Sequence, residues 1–292
     1  MDRARFAVLV AIVLWGVSFV ATKAALRELA PVELIFGRVV LGATVLLALL
    51  AVRGERLVAS RRAWTDFALL GLVGVSGHLL LQAWALTMTS AVNTGWLIGL
   101  IPIWSAILAA LFLGERLGGR AFLGFVLGFG GALLVVTRGR FDGSTLALPS
   151  TKGDLLVLVS TVNWAVYTIL GRRILPRLGG ARLATAGAFV AGAVMLAPIF
   201  FLTSGLSTFA HLSATGWLSL LFLGIGCSGL GYLLWYGALE RLEAGQVAVF
   251  LYFEPLVTLA AAALWLDEPI GAITVLGGLV VLVGVSLVQR RS

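Results

Sequence analysis

The sequence predicts an all-α integral membrane protein whose ten transmembrane helices form two inverted-topology five-helix repeats, and three observations carry that reading. Of its 292 residues, 60% are in the AVILMFWYC set and 12% are charged, against about 25% charged in an ordinary soluble domain, and the mean hydropathy is +1.07. The apolar residues gather into segments of roughly the 20 residues that cross a bilayer. A spacing of 153 residues relates the first half of the chain to the second. Together these exclude an ordinary soluble enzyme, a disordered chain, a collagen and a coiled coil.

The first span, near 5–26, follows Arg3 and Arg5 and contains Trp15. Ser18, Thr22 and Lys23 make its far half too polar for a signal peptide, and no clear A-x-A site follows, so it reads as a retained helix. The second span, near 33–52, holds Arg38 and stops at Arg53. Between Asp66 and Glu115 there is no Asp, Glu, Lys or Arg, which leaves room for two spans, near 64–87 and 91–113, joined by a polar turn. The fifth lies near 119–137. The sixth, near 154–174, carries Asn163, Trp164 and Tyr167, and the apolar stretch after Leu183 divides into spans near 182–203 and 214–239. The last two lie near 245–266 and 270–288. Cys227 is the one cysteine, which rules out an intrachain disulfide and a cysteine metal site and leaves it the role of a small packing residue.

Lys and Arg set the orientation. With both termini cytoplasmic, the inner segments hold fifteen of the 21 basic residues and the outer loops hold four, Arg27, Arg138, Arg140 and Lys152, while Lys23 and Arg38 lie inside spans. This asymmetry accounts for the net charge of +8 without nucleic acid as a partner. At the 153-residue spacing Gly71 matches Gly224, Pro102 matches Pro255, Glu115 matches Glu268, Gly124 matches Gly277 and Gly131 matches Gly284. Trp15 and Trp164 pair at a slightly different spacing. The chain therefore divides into a first repeat at 1–140, a linker at 141–153 and a second repeat at 154–292. Five helices per copy is an odd number, so the second copy enters the membrane upside down, an arrangement typical of secondary transporters.

The stretch Leu14-Trp15-Gly16-Val17-Ser18-Phe19 with Lys23, then Arg38 in the second span, resembles the start of EamA-type transporters of the drug/metabolite transporter (DMT) superfamily. So do the two copies of Pro leading a small-residue helix that ends in Glu, from Pro102 to Glu115 and from Phe253-Glu254-Pro255 to Glu268. The resemblance covers essentially the whole chain. It implies a ten-helix exporter or exchanger of small metabolites, amino acids among them, that works by alternating access. Asn163-Trp164 departs from the Leu14-Trp15-Gly16 pattern, so the two helix faces are not expected to do identical work.

Glu254 is the most informative single residue. A carboxylate at mid-span costs on the order of 3 kcal/mol on insertion scales, so it should face the bundle interior, a cavity or a cation. Its repeat counterpart is Ile101, so repeat packing does not require the charge. It is either a structural partner of Lys23 or Arg38 or a site for a proton or a substrate amine. Pro102 and Pro255 should kink or break their helices, either as tolerated packing kinks or to free carbonyls toward a cavity. Lys23 and Arg38 sit toward the outer ends of their spans, where snorkelling or helix pinning is favoured over binding a substrate carboxylate. Glu115 and Glu268 end their helices on opposite faces and are expected as caps or gate contacts with Arg116, Arg120 or loop backbone. His78 and Gln82 share a helix face. A pocket lined by Trp15, Trp96, Trp164 and Tyr232, with Asn163, His78 and Gln82 near it, suits an apolar or cationic small molecule.

No H-E-x-x-H, G-x-x-x-x-G-K-[ST] or G-x-S-x-G motif occurs, so metalloprotease, ATP-driven and serine-hydrolase chemistry lack their signatures. No cofactor and no metal are expected. The reading is an inner-membrane secondary transporter, not an enzyme, that exports or exchanges an amino acid or related amine as a monomer. Its other partners are lipid and, if coupling exists, protons. The alternatives are efflux of lipophilic cationic drugs by the same fold and, in another class, an intramembrane enzyme.

Overall fold

The computed structural model describes residues 3–57, 60–113, 118–140, 149–242, 247, 249–266, 268 and 270–289. Among the described residues eight helices are long and apolar enough to cross a membrane: α1 (Arg3–Ala25), α2 (Pro31–Val52), α3 (Arg61–Leu86), α4 (Ala91–Phe112), α5 (Gly119–Thr137), α6 (Pro149–Arg177), α7 (Ala181–Thr203) and α8 (Ala214–Leu239). Two shorter apolar helices follow, α9 (Phe250–Trp265) and α10 (Ala272–Val288), each next to residues outside the described set. No strand occurs among the described residues.

Local chemistry starts these helices where the sequence allows. Ser60, Ser90 and Ser213 cap α3, α4 and α8 by accepting from the backbone N–H groups of Ala63, Asn93 and Gly216 at 3.2, 2.9 and 3.1 Å. Pro31 opens α2, and Glu33 reaches back to accept from Ala30 N at 2.7 Å. Two helices are interrupted. α4 breaks at Gly99 and Leu100 and resumes at Ile101, just ahead of Pro102. α9 begins within a 3₁₀ segment, Val249–Phe253, and its α-helical part begins at Glu254 with Pro255 in its first turn. Proline lacks the N–H that would continue the preceding helix, so each break falls directly before it.

α3 and α8 share a different irregularity. Both widen into π-helical turns, over Gly71–Gly77 and Phe222–Gly231. These glycine-rich stretches correspond in the two repeats, and π turns gather at functional sites. Carbonyls of the widened turns accept side-chain donors from other helices. Tyr232 Oη donates to Gly74 O at 3.0 Å, and Trp15 Nε1 donates to Cys227 O at 3.2 Å. Gly74 lies so close beneath the Tyr167 ring that no side chain fits there.

α5 and α10, the last helices of the two repeats, cross through glycines. A Cβ on Gly124 would meet Gly284 O, and one on Gly131 would meet Gly277 O; Gly284 faces Gly124 O and Gly277 faces Gly131 O in return. Residues that ascend on one helix meet residues that descend on the other, so the pair is antiparallel. The contact is also self-complementary between repeat-equivalent positions, the mark of a two-fold relation.

Polar ties link the loops at each end of the bundle. At one end Lys23 Nζ sits 3.1 Å from Glu268 Oε1, Glu28 accepts from Ser213 N and Oγ at 2.7 Å each, and Asp154 accepts from Thr89 Oγ1 and from Asn93 Nδ2 at 3.0 Å. At the other end Arg182 makes a forked ion pair with Glu55 at 2.6–3.1 Å, Glu240 accepts from Ala181 N, and Arg173 donates to Phe112 O at 3.3 Å. Each tie joins segments that an alternating up-and-down chain places at the same end. The Ser213 hydroxyl, then the Ser213 N–H, hold the Glu28 carboxyl below its ordinary range, and the Arg182 hydrogen bonds do the same for Glu55.

Candidate functional site

A cavity at the centre of the bundle is built by seven helices. Trp15, Ser18 and Phe19 come from α1, Arg38 from α2, His78, Leu79 and Gln82 from α3, and Trp164 from α6. Tyr232 comes from α8. Ile98 and Ile101 flank the break in α4, and Leu251 and Glu254 flank the one in α9, so both interrupted helices meet at the cavity. Discontinuous helices at the repeat interface are where transporters of this architecture bind solute. Ser105 and Thr258, equivalent in the two repeats, donate to the carbonyls of Ile101 and Glu254 at 3.0 and 2.9 Å and so reinforce the first turn after each break.

Four pairs of lining residues are repeat-equivalent: Trp15 with Trp164, and, at the 153-residue spacing, Leu79 with Tyr232, Ile98 with Leu251 and Ile101 with Glu254. The cavity therefore lies where the two-fold relation brings like positions together. Its chemistry is nonetheless lopsided. The first repeat contributes Arg38, His78 and Gln82, and the second contributes the Tyr232 hydroxyl and the Glu254 carboxylate.

The wall is aromatic. Trp15 and Trp164 meet edge to face with centroids 5.3 Å apart, and Tyr232 stands at 5.5 Å from each. His78 leans on Trp164 at 4.7 Å, and Trp235 backs Trp15 at 5.4 Å. Such ring pairs contribute about 0.5–1.5 kcal/mol each beyond burial. Among the described residues the Trp164 Nε1 and His78 Nδ1 atoms have no hydrogen-bond partner. The cavity volume is ≈ 30 Å³, room for about two waters. A solute of amino-acid size enters only if the walls move.

For Arg38 the structure corrects the expectation of snorkelling, not that of helix pinning. It is 4% exposed and lines the cavity, with Nε donating to Ser228 Oγ at 2.8 Å. α2 starts at Pro31, which places Arg38 two turns deep, about 10 Å along the axis, and too far in to snorkel. Lys23 reaches the end of the bundle and pairs with Glu268, whose oxygens also accept from Ala91 N and Val92 N at 3.1 and 3.2 Å and so cap α4. Glu268 therefore meets Lys23 and the first backbone N–H groups of α4, a capping contact. Glu254, also 4% exposed, pairs with neither Lys23 nor Arg38.

Trp96 and Asn163 do not line the cavity. Trp96 is 1% exposed and packs flat over Gly278 of α10, because only a glycine there leaves room for the indole. Asn163 lies one residue from Trp164 and so points about 100° away around the helix, and its Oδ1 is buried without a partner among the described residues. Pro102 and Pro255 are buried behind the breaks. Glu115 and Arg116 lie outside the described residues. Sequence reasoning missed Ile98 and Leu251, which the repeat spacing together with the prolines could have marked. It also missed Asp154, for which the sequence carries no signal. Among the described residues no group of three or more His, Cys, Asp or Glu could hold a metal ion.

The model of the EamA-like transporter family matches residues 3–137 and 151–290. An uncharacterized transporter from Archaeoglobus fulgidus is 34% identical over 281 residues, covering 95% of this chain and 94% of the relative. A probable terminal-alkyne amino-acid exporter from Streptantibioticus cattleyicolor is 29% identical, covering 100% of this chain and 95% of that protein. A solved crystal structure superposes with a TM-score of 0.72 at 21% identity over 99% of both chains, which shows a shared fold.

Proposed function

The chain belongs to the EamA-like transporter family of the DMT superfamily, a family of transporters and not of enzymes, and from that premise we propose that it exports or exchanges a small metabolite, an amino acid or related amine above all, across the inner membrane by alternating access. The observation that carries this is the small central cavity between the two repeats, walled by aromatic rings, flanked by both broken helices and holding Arg38 and Glu254. The Streptantibioticus cattleyicolor relative, named as an amino-acid exporter, supports the choice of solute. The antiparallel crossing of α5 and α10 supports an inverted repeat, and the excess of basic residues in one set of loops supports cytoplasmic termini. In this reading the transporting unit is the monomer.

In this mechanism the repeats rock about the cavity. The Lys23–Glu268 pair holds one end closed while the other opens, and Glu254 takes up a proton or a substrate ammonium. The runner-up is efflux of lipophilic cations, favoured by the nearness of Glu254 to the aromatic wall. The test is thermal stabilisation of the detergent-purified protein across amino acids, polyamines, nucleosides and cationic dyes at two pH values, followed by counterflow in liposomes with any solute that stabilises it. Saturable stabilisation and counterflow with amino acids are expected. Stabilisation by cationic dyes alone overturns the amino-acid reading in favour of the runner-up, and flux that does not saturate overturns the transporter mechanism.

A further inference from the structure

The cavity holds a buried guanidinium, Arg38, and a buried carboxyl group, Glu254, that do not pair with each other. Arg38 has five N–H donors, and among the described residues its one hydrogen bond is to Ser228. Glu254 has no side-chain hydrogen bond or ion pair among the described residues. The only other titratable groups lining the cavity are His78 and Tyr232. Burying a charge is costly unless it is paired or satisfied by hydrogen bonds, and a purely structural charge would carry such partners.

Repeat packing explains neither group. Glu254 matches Ile101, and the stretch of α7 equivalent to the region of Arg38, residues 187–191, is Gly-Ala-Phe-Val-Ala with no polar side chain. The ligand that satisfies both is one molecule carrying an anion and a cation on a short apolar body.

We propose that Arg38 and Glu254 are the two poles of a site for zwitterionic α-amino acids, the guanidinium receiving the carboxylate and Glu254 the ammonium, with the Trp15, Trp164 and Tyr232 rings against the side chain. This rests on the amino-acid transporter reading and adds a selection rule to it. A guanidinium aims bidentate donors at a carboxylate, and it repels a solute that carries only positive charge. Glu254 repels one that carries only negative charge. Simple amines, lipophilic cations and N-blocked acids are then rejected by the pole they fail to match, which is discrimination by repulsion as well as by attraction.

The experiment measures binding to the purified full-length protein of L-leucine and L-phenylalanine, each as the free amino acid, the methyl ester, the decarboxylated amine and the N-acetyl acid. The free amino acid should bind about tenfold or more tightly than any of the other three, the scale of a lost hydrogen bond to a charged group. Arg38→Gln should remove the advantage over the ester and amine, and Glu254→Gln the advantage over the N-acetyl acid, while Arg38→Lys retains part of the first. Equal binding of all four forms by the unsubstituted protein overturns the proposal, whatever the variants do. So does an Arg38→Gln protein that loses the free acid and the ester in equal measure. If none of the four forms binds while another solute class is transported, the amino-acid reading itself fails, and that outcome is distinct from the other two.

Discussion

At the scale of single residues, one side chain can serve both the site and the stability of the fold. Trp164 touches Trp15, Tyr232 and His78 and is 4% exposed, so Trp164→Ala should cost about 3–5 kcal/mol. Melting of the detergent-purified variant checks this; Trp164→Phe, which keeps a ring, should melt closer to the unsubstituted protein. Glu55 gives a pH prediction. Its carboxyl lies below the ordinary value of 4.5 in the folded chain because Arg182 hydrogen-bonds the charged form. The resulting stabilisation is present above about pH 4.5 and fades as the pH falls through the lower folded value. A melting series from neutral to acid pH should show Glu55→Gln slightly less stable than the parent at neutral pH and indistinguishable from it at the acid end, a small effect because the pair is solvent-exposed. The sequence made the identity of such residues legible but not their company. Lys23 and Glu268 stand 245 positions apart, and nothing local in either stretch announces the other. The depth of Arg38 depended on where α2 begins: placing the start at Pro31 turns a residue near the end of a span into a buried one.

At the scale of helices, the prolines were readable and the π turns were not. A proline's missing N–H states its effect wherever it falls, whereas Gly71–Gly77 reads equally well as a close-packing stripe or as a widened turn until Tyr167 and Tyr232 are in place. Trp96 illustrates the same limit. Its position in mid-span was evident, but its direction follows from the rotation of α4 against Gly278, a residue of the other repeat. The crossing of α5 and α10 has little slack. Gly131→Ala would push a methyl group into Gly277 O and the Val281 backbone, and a loss of about 1–3 kcal/mol is expected from overpacking; Gly130→Ala, one position along and facing open space, serves as the neutral control in the same melting experiment. At the Lys23 end, Glu268→Gln removes an ion pair and weakens the cap on α4. A cysteine placed at Gln82 should then react faster with a membrane-impermeant thiol reagent applied from that side; an unchanged rate would count against a closing role for the pair.

At the scale of the whole molecule, the two repeats hold one another by more than the segment that joins them in sequence. α5 meets α10, Trp15 meets Trp164, Tyr232 reaches Gly74, and Arg182 reaches Glu55, all between repeats. A protease site inserted between Ser144 and Thr145 should therefore be cleavable in the purified protein without separating the halves on gel filtration in detergent. The overall fold was the most legible level because it depends on composition, span length and the repeat spacing, which survive any error in a single residue's direction. The site was half legible, since the aromatic and charged residues declared themselves while the lining contributed by Ile98 and Leu251 looked like any other apolar sequence. One feature of that lining reaches into stoichiometry. Two identical chains related by a two-fold axis can install an ionisable group there only in duplicate, whereas joined copies that diverge, as at Ile101 and Glu254, can install a single one. A lone carboxylate can hand over no more than one unit of positive charge per turnover, so the role proposed for Glu254 predicts one proton, or one cationic head, for each solute carried.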